Sequence, residues 1–246
     1  MSDIAFSIVL KETYRTKTDK IPVPGTVFEN NLKERLMNSS SEDLERQRMV
    51  REQLECRGIR SRMVLDALAK VPRHLFVPAD IRHLAYTDHA LLTYCGQTIS
   101  QPFIVAKMTE MLSLEPNHRV LEIGTGTGYQ TAILAALAGE VYTMERIKEL
   151  HDLARENLSP FHYSNIHYLY GNGYNGYPDA APYHAIIVTA APPSIPQSLI
   201  DQLAPGGQMV IPVGTDFQIL YLVTKDADGL IHEIPVFSVV FVPMVK

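Results

Sequence analysis

The sequence predicts an α/β protein built on a doubly wound, mostly parallel sheet, with additional helices toward its amino terminus. From residue 119 onward, short apolar runs near 119–123, 140–145 and 166–170 alternate with segments of helical periodicity. This alternation is the pattern of a parallel sheet with helices on both faces. The first run ends at a turn with three glycines, and 246 residues suffice for a single domain of this type.

Composition and charge exclude several classes of protein. The formal net charge of −5 disfavours a general binder of nucleic acids. No run of apolar residues is long enough to span a membrane, and the first ten residues lack the features of a secretory signal. Cys56, Cys95 and the nine histidines show neither disulfide nor metal-binding spacing. We therefore expect a cytoplasmic protein without a metal, a nucleic-acid partner or a membrane partner.

The chain divides into a poorly committed extension over residues 1–38 and a single domain over residues 39–246. Prolines and a glycine at 22–25 interrupt any helix in the extension, although residues 8–10 could add an edge strand. Ser39 and Glu42 form a capping-box pair that opens a first helix, which continues to Gly58. A second helix runs from about Ser61 to Pro72. The apolar residues that recur along these helices are Leu44, Val50 and Leu54, and then Val64, Leu65 and Leu68.

A third helix follows the segment Gly96-Gln97-Thr98-Ile99-Ser100-Gln101-Pro102. Its apolar residues fall at i, i+4, i+7 and i+8, which is typical of an amphipathic helix lying on a core. These residues are Ile104, Met108, Met111 and Leu112. On this pattern alone Ser100 is the helix N-cap, and Pro102 lies in the first turn, where no N–H is needed.

The turn after the first strand indicates a ligand loop. Gly124, Gly126 and Gly128 lie at alternate positions, so backbone N–H groups can approach a bound molecule closely. In a dinucleotide fingerprint the third glycine would stand at position 129, which is Tyr129 here. A plain structural turn is the alternative for a lone glycine-rich segment.

The end of the second strand narrows the ligand class. Glu145 stands where a doubly wound sheet places a carboxylate that accepts both ribose hydroxyls. A solvated strand end is the alternative. Together the loop and this acid predict an adenosine-type ligand at the carboxyl ends of the strands.

The remaining chain completes the sheet. In order we expect a strand at 185–188, a helix at about 195–203, a strand at 208–213 and a hairpin of strands at 217–224 and 231–242. Pro205-Gly206-Gly207 ends the helix, and Asp228-Gly229 is a favoured hairpin turn.

Several stretches resemble the bacterial protein-L-isoaspartate O-methyltransferases, over roughly residues 42–246. They are AYTDHALLTYCGQTISQPFIVAKM, VLEIGTGTGYQTAILA, VYTMERI, APYHAIIVTAAPPSIP, LAPGGQMVIPVG and FVPM. GQTISQP is the discriminating piece, because the glycine loop alone fits hundreds of methyltransferases. The resemblance implies a Rossmann-like S-adenosylmethionine-dependent methyltransferase fold. It also implies methyl transfer from S-adenosyl-L-methionine to the α-carboxylate of L-isoaspartyl residues in damaged proteins.

The resemblance implies roles for individual residues. Ser100 matches the active-site serine, and Thr98 and Ile99 match its neighbours in the substrate cleft. The residues implied for the cofactor are Glu122, Gly124, Thr125, Gly126, Gly128, Glu145, Asn172 and Gly173. Ser100 is then both a cap and a site residue.

Three positions depart from the family pattern. Asn172 stands where an aspartate usually accepts a hydrogen bond from the adenine amino group, so weaker cofactor binding is expected. Leu92-Thr93-Tyr94 replaces a proline-isoleucine-glycine segment, and Cys95 after it is interpreted as a packing residue. His184 replaces a common aspartate, and we favour a hydrogen-bonded strand-end histidine over a catalytic one.

Two Asn-Gly pairs, at 172–173 and 175–176, lead to a further hypothesis. A glycine leaves the preceding asparagine free to close a succinimide ring, so the enzyme could form its own isoaspartate. Aged enzyme would then be a substrate for fresh enzyme.

Two other functions stay open on the sequence. One is a methyltransferase acting on RNA or a small molecule, although the acidic charge balance disfavours RNA. The other is a catalytically silent S-adenosylmethionine-binding protein, suggested by Asn172 and the altered segment before Gly96. The sequence leaves the oligomeric state open and slightly favours a monomer.

Overall fold

The computed structural model describes residues 39–245. The expected extension over residues 1–38, its edge strand and the capping side chain of Ser39 lie outside the described residues. The strands are β1 (Leu91–Leu92), β2 (Thr98–Ile99), β3 (Arg119–Ile123), β4 (Glu140–Glu145), β5 (Ile166–Tyr170), β6 (Tyr183–Val188), β7 (Leu203–Gly214), β8 (Gln218–Lys225) and β9 (Ile231–Val239). The helices are α1 (Ser39–Met49), α2 (Arg62–Lys70), α3 (Pro102–Met111), α4 (Tyr129–Ala135), α5 (Lys148–Leu158) and α6 (Gln197–Asp201).

The main sheet has seven strands in the order β5-β4-β3-β6-β7-β8-β9. The strands from β5 to β7 pair in parallel, and β8 and β9 add antiparallel pairs at one edge. The chain runs outward from β3 to β4 and β5, and it then returns to the other side of β3 as β6. This reversal is a topological switch point, where open α/β sheets bind ligands. The predicted doubly wound, mostly parallel sheet is confirmed.

Alternate residues of the central strands face opposite layers of helices. Val120 of β3 packs in one cluster with Met108 of α3. Its neighbour Leu121 packs in a separate cluster with Leu199 of α6. Because side chains alternate along a strand, helices are needed on both faces to bury both sets.

The first predicted helix differs from the expectation. After Met49 the helix continues as a π-helical segment, Val50–Glu55, and it ends before Gly58. Val50 and Leu54 are buried as expected, but Leu44 is 71% exposed. The prediction for Leu44 was wrong because it lies six positions before Val50, which places the two on different faces of a helix with 3.6 residues per turn.

The second predicted helix is confirmed as α2. Ser61 is its N-cap, and the side chain of Ser61 accepts a hydrogen bond from the N–H of Val64. Val64, Leu65 and Leu68 are all buried. Within residues 39–245, no helix combines the length and the apolar character that a membrane span requires.

The segment after β6 is the other region where the prediction was wrong. The helix is shorter than expected, and β7 begins at Leu203, so it includes Pro205-Gly206-Gly207. The pairing with β6 shifts register between Tyr183 and Ala185. The proline and glycines are accommodated in this irregularity of the strand, as in a β-bulge. The predicted hairpin is confirmed as β8 and β9.

Candidate active site

A cavity opens at the switch point, beside the carboxyl ends of β3, β4 and β6. Its wall is built from five segments and several single residues of neighbouring helices and loops. The segments are 97–100, 123–127, 144–147, 189–190 and 242–245, and the single residues are Val105, Met108, Tyr129, Gln130, Gly171 and Gly173.

The turn after β3 contributes backbone groups to this wall. Gly124, Gly126 and Gly128 have φ values of 95°, 56° and 96°. A Cβ at Gly124 would lie 2.3 Å from Thr189 Oγ1, so no side chain fits there. Gly124, Thr125 and Gly126 line the cavity, whereas Gly128 does not and lies against Leu158 of α5.

Glu145 is a buried acid at the end of β4 that lines the cavity. Its Oε2 accepts a hydrogen bond from the N–H of Gly126 at 2.9 Å. Its Oε1 accepts from the N–H groups of Arg146 at 2.9 Å and Ile147 at 3.0 Å. A carboxylate has about four acceptor sites. Three are used by these backbone donors, and Glu145 keeps acceptor capacity for a ligand hydroxyl.

Glu122 does not line the cavity. It lies on the same face of β3 as Val120, fully buried, and its Oε2 accepts from Thr131 Oγ1 and Thr143 Oγ1, each at 2.6 Å. Burial raises the pKa of Glu122 to about 8, although the two hydroxyls oppose the shift. Thr143 Oγ1 also lies 2.6 Å from Thr125 Oγ1 in the glycine turn. Glu122 is therefore linked to the cavity wall through Thr143 and Thr125.

Asn172 and Gly173 occupy different positions relative to the cavity. Gly173 lines it and packs so closely on β3 that a Cβ would lie 2.3 Å from Ile123 Cγ2. Asn172 lies just outside the lining residues, and its Oδ1 accepts from the N–H of Tyr174 at 3.0 Å. The second lone pair of Oδ1 is the one that could serve an adenine.

Thr98, Ile99 and Ser100 all line the cavity. Thr98 and Ile99 form β2, which pairs antiparallel with β1 in a short hairpin. The expectation that Ser100 caps α3 was wrong, because Gln101 is the N-cap residue and Pro102 opens the helix. Ser100 lies one residue earlier, and within residues 39–245 its hydroxyl has no hydrogen-bond partner. The hydroxyl is available to a ligand.

Side-chain contacts that the sequence did not suggest stabilise the segments that flank the hairpin of β1 and β2. Gln101 Nε2 donates to the backbone oxygen of Asp88 at 2.9 Å and to Asp88 Oδ1 at 2.8 Å. Arg57 pairs with the Asp88 carboxylate at 2.8 Å, and its guanidinium lies 3.9 Å from the ring centroid of Phe103. These contacts hold the chain on both sides of Ser100. Asp88 lies within the first family-like stretch, which is the signal that could have identified it.

The carboxyl-terminal segment forms a wall that sequence analysis did not assign to the site. Val242 accepts from the N–H of Ala191, and the N–H of Met244 donates to Ala191, each at 2.8 Å. These bonds hold residues 242–245 beside the loop that follows β6, where they line the cavity. The family-like FVPM was the available signal.

In one of the two Asn-Gly pairs a backbone hydrogen bond opposes ring closure. The N–H of Gly176, which would have to attack Asn175, donates instead to Gly173 at 3.1 Å. The side chain of Asn172 is turned toward the N–H of Tyr174. Formation of isoaspartate at Asn175 therefore requires the hydrogen bond of Gly176 to break first.

His184 and Cys95 differ in how well they match their interpretations. His184 Nδ1 accepts from the N–H of Arg119 at 2.9 Å, and the ring stacks on His118 with a centroid distance of 4.8 Å. The interpretation as a hydrogen-bonded strand-end histidine is confirmed.

The interpretation of Cys95 as a packing residue was wrong, because its side chain is exposed and its φ is 56°. Partial burial, with the charges of Glu149 and Glu145, raises the pKa of its thiol, so the reactive thiolate is disfavoured.

The chemistry of the cavity fits an adenosine-type ligand. Glu145 offers a buried carboxylate to a sugar hydroxyl, and Ile123, Met144 and Ile147 offer apolar surface to a base. A Cβ placed on Gly126 meets no atom within 4 Å, so the glycine turn leaves open space beside Glu145. Within the described chain no other acid lines the cavity. This suits a ligand that is held mainly by shape and hydrogen bonds rather than by several charges.

Comparison with known proteins identifies the family. Residues 44–246 match the model of the protein-L-isoaspartate(D-aspartate) O-methyltransferase family. A protein-L-isoaspartate O-methyltransferase of Synechococcus sp. is 51% identical over 209 residues, which are 82% of this chain and 85% of that one. One from Picosynechococcus sp. is 53% identical over 199 residues, which are 81% and 89% of the two chains.

Among solved structures, the chain is similar to a beta-aspartate methyltransferase from Plasmodium falciparum in complex with S-adenosyl-L-homocysteine. The TM-score is 0.71 and the identity is 26%, over 82% of this chain and 98% of that one.

Proposed function

The chain belongs to the protein-L-isoaspartate O-methyltransferase family, and we propose that its cavity methylates the α-carboxylate of L-isoaspartyl residues in damaged proteins. The observation that supports this proposal most directly is that Ser100 and Glu145, which come from separate family-like stretches, line the same cavity. The partners are proteins or peptides that carry such residues. The two cysteines are unpaired, which agrees with the reducing cytoplasm where we place the protein.

The cofactor is S-adenosyl-L-methionine, which supplies a methyl group activated by a sulfonium centre. Glu145 is placed to accept a ribose hydroxyl, and Gly124, Thr125 and Gly126 offer the backbone of the glycine turn. Gly173 and Met144 line the region proposed for the base. Glu122 is linked to the glycine turn through Thr143 and Thr125, whereas Gly128 and Asn172 lie just outside the lining residues.

The acceptor carboxylate needs no general base. Its pKa is about 4, so it is already ionised at neutral pH. The task of the protein is to hold one carboxylate oxygen at the correct distance and direction and to exclude water. The Ser100 hydroxyl can donate one hydrogen bond to the carboxylate. Ile99, Val105 and Met108 supply apolar surface around it.

A direct test uses an isoaspartyl peptide and the same peptide with a normal aspartyl residue, each incubated with methyl-labelled cofactor. We expect label in the isoaspartyl peptide alone. Label in neither peptide, with S-adenosylhomocysteine still bound, would indicate a silent binding protein. Label in RNA but in neither peptide would indicate a methyltransferase for another substrate. Either result would contradict the proposed function.

A further inference from the structure

Gln130 is a cavity residue to which neither the sequence nor the proposed reaction assigns a role. It is the second residue of α4, it lines the cavity, and 8% of its surface is exposed. Its Nε2 lies 3.0 Å from Oγ1 of Thr109 on α3. This bond connects the helix after the glycine turn to the helix after Ser100.

Thr109 determines which end of the Gln130 amide faces the cavity. Thr109 is buried, and its Oγ1 donates its single hydrogen to the backbone oxygen of Val105 at 2.7 Å. The Thr109 oxygen can then only accept from Gln130. An exchanged amide would place two acceptors in contact, so the NH2 group must face Thr109 and Oε1 must point away.

The Oε1 atom of Gln130 is an accessible acceptor. Within residues 39–245 it makes no hydrogen bond, and it is not among the oxygens that are buried without a partner. Because Gln130 is otherwise buried and lines the cavity, its exposed surface belongs to the cavity. The acceptor is thus fixed in direction before any ligand binds.

We propose that Gln130 Oε1 is a binding group for an N–H donor of the bound reactants. The donor is either the α-ammonium of the cofactor's amino-acid end or a backbone N–H of the isoaspartyl peptide. The inference rests on the proposed function, but binding of S-adenosylhomocysteine can be measured without turnover. Thr109 acts as the positioning residue that prevents the amide from flipping.

The test compares Gln130→Met, which keeps the length of the side chain but removes the acceptor, with two variants of Thr109. Thr109→Val removes the hydroxyl that orients the amide, and Thr109→Ser retains it as the matched control. Dissociation constants are measured by calorimetry for S-adenosylhomocysteine and for 5′-methylthioadenosine, which lacks the amino-acid end. KM is measured with the isoaspartyl peptide.

If the donor is the cofactor ammonium, Gln130→Met weakens the binding of S-adenosylhomocysteine about tenfold or more, as expected for the loss of a hydrogen bond to a charged group. Binding of 5′-methylthioadenosine then stays within about twofold. If the donor is the peptide, both nucleoside constants are unchanged and KM rises about threefold to tenfold, as for a neutral hydrogen bond. In either case Thr109→Val shows the same pattern more weakly, and Thr109→Ser resembles the wild type.

Equal weakening of the two nucleosides would show that Gln130 only packs the wall, and no change in any constant would show that no ligand touches it. Both results overturn the inference. Failure of the proposed function has a different signature, because the wild type would then bind S-adenosylhomocysteine without methylating the peptide.

Discussion

The carboxylate of Glu145 accepts a hydrogen bond from the N–H of Gly126 at 2.9 Å. This bond joins the end of β4 to the glycine turn after β3. The other carboxylate oxygen is held by the N–H groups of Arg146 and Ile147. The Glu145 carboxylate, proposed to bind the ribose, is therefore held in place by backbone N–H groups. It also holds the glycine turn, whose backbone is proposed to contact the rest of the cofactor.

Glu145→Gln should weaken the binding of S-adenosylhomocysteine about tenfold or more. The substitution removes the charge and turns an NH2 group toward backbone N–H donors, so at least one of the three bonds is lost. Calorimetry measures the effect. Glu140→Gln is the matched control, because Glu140 is half-buried at the other end of β4, away from the cavity, and contacts His167. Unchanged binding in Glu145→Gln would mean that this acid does not hold the cofactor.

Ser100→Ala should lower kcat for the isoaspartyl peptide about tenfold or more, while the dissociation constant of S-adenosylhomocysteine stays within about twofold. The variant loses one hydrogen bond to a charged carboxylate. Ser159→Ala, at an exposed helix end where Ser159 Oγ donates to Glu156, serves as the control in both measurements. Equal loss of turnover and cofactor binding would return Ser100 to a structural role.

Asn172→Asp should tighten binding of S-adenosylhomocysteine about threefold to tenfold, because a charged acceptor makes a stronger hydrogen bond than an amide oxygen. The bond to the N–H of Tyr174 is retained in the variant. Asn175→Asp, in the same loop but exposed, is the comparison. If calorimetry finds no change, Asn172 serves only its own loop and does not contact the adenine.

Asp88→Asn should raise KM for the isoaspartyl peptide by roughly fivefold and leave cofactor binding unchanged. The change weakens the contacts of Asp88 with Arg57 and Gln101, which are part-exposed and worth about 1 kcal/mol. The hairpin that carries Thr98 and Ile99 is then less well held. Asp66→Asn removes a comparable exposed pair, with Arg62, and should leave KM as it is. A similar rise in both variants would argue against a role for Asp88 in positioning.

Glu122 should make stability depend on pH. Its pKa rises from the usual 4.5 to about 8 on folding, because the carboxyl is buried. The folded state therefore binds the proton more tightly than the unfolded chain, and the stabilisation is complete below pH 4.5 and lost as the pH rises through 8. Relative to Glu122→Gln, the wild type should lose on the order of 1 to 4 kcal/mol of unfolding free energy between about pH 5 and 8. Urea unfolding at several pH values measures the difference.

Glu110→Gln is the control for that experiment. Burial favours the neutral acid at Glu110, but hydrogen bonds from the N–H groups of Ser61 and Arg60, with Lys107, outweigh it and lower the pKa. Its contribution is therefore complete above the usual value of 4.5 and is lost only at lower pH. The offset between Glu110→Gln and wild type should be constant where the Glu122 offset changes. If the offset between Glu122→Gln and the wild type is also constant with pH, Glu122 does not titrate in this range.

The pattern of residues was sufficient for the sheet and for the position of the candidate site. The three strands at 119–123, 140–145 and 166–170 have the predicted bounds, because each is an apolar run that stops at turn-forming residues. Gly124 and Glu145 line the cavity as expected, because in a parallel sheet the carboxyl ends of neighbouring strands lie at one edge. Such features depend on local periodicity and chain direction, which are written in consecutive residues.

The direction in which each of those residues faces follows from the three-dimensional packing of the chain. Glu122 and Glu145 both belong to recognised motifs, yet Glu122 lies on the face of β3 that packs against α4, where it accepts a hydrogen bond from Thr131, while Glu145 lines the cavity. The direction of the Gln130 amide depends on Thr109, which lies twenty-one residues away. The wall at 242–245 depends on bonds to Ala191. These arrangements follow from packing between distant segments, and no local pattern of residues contains that information.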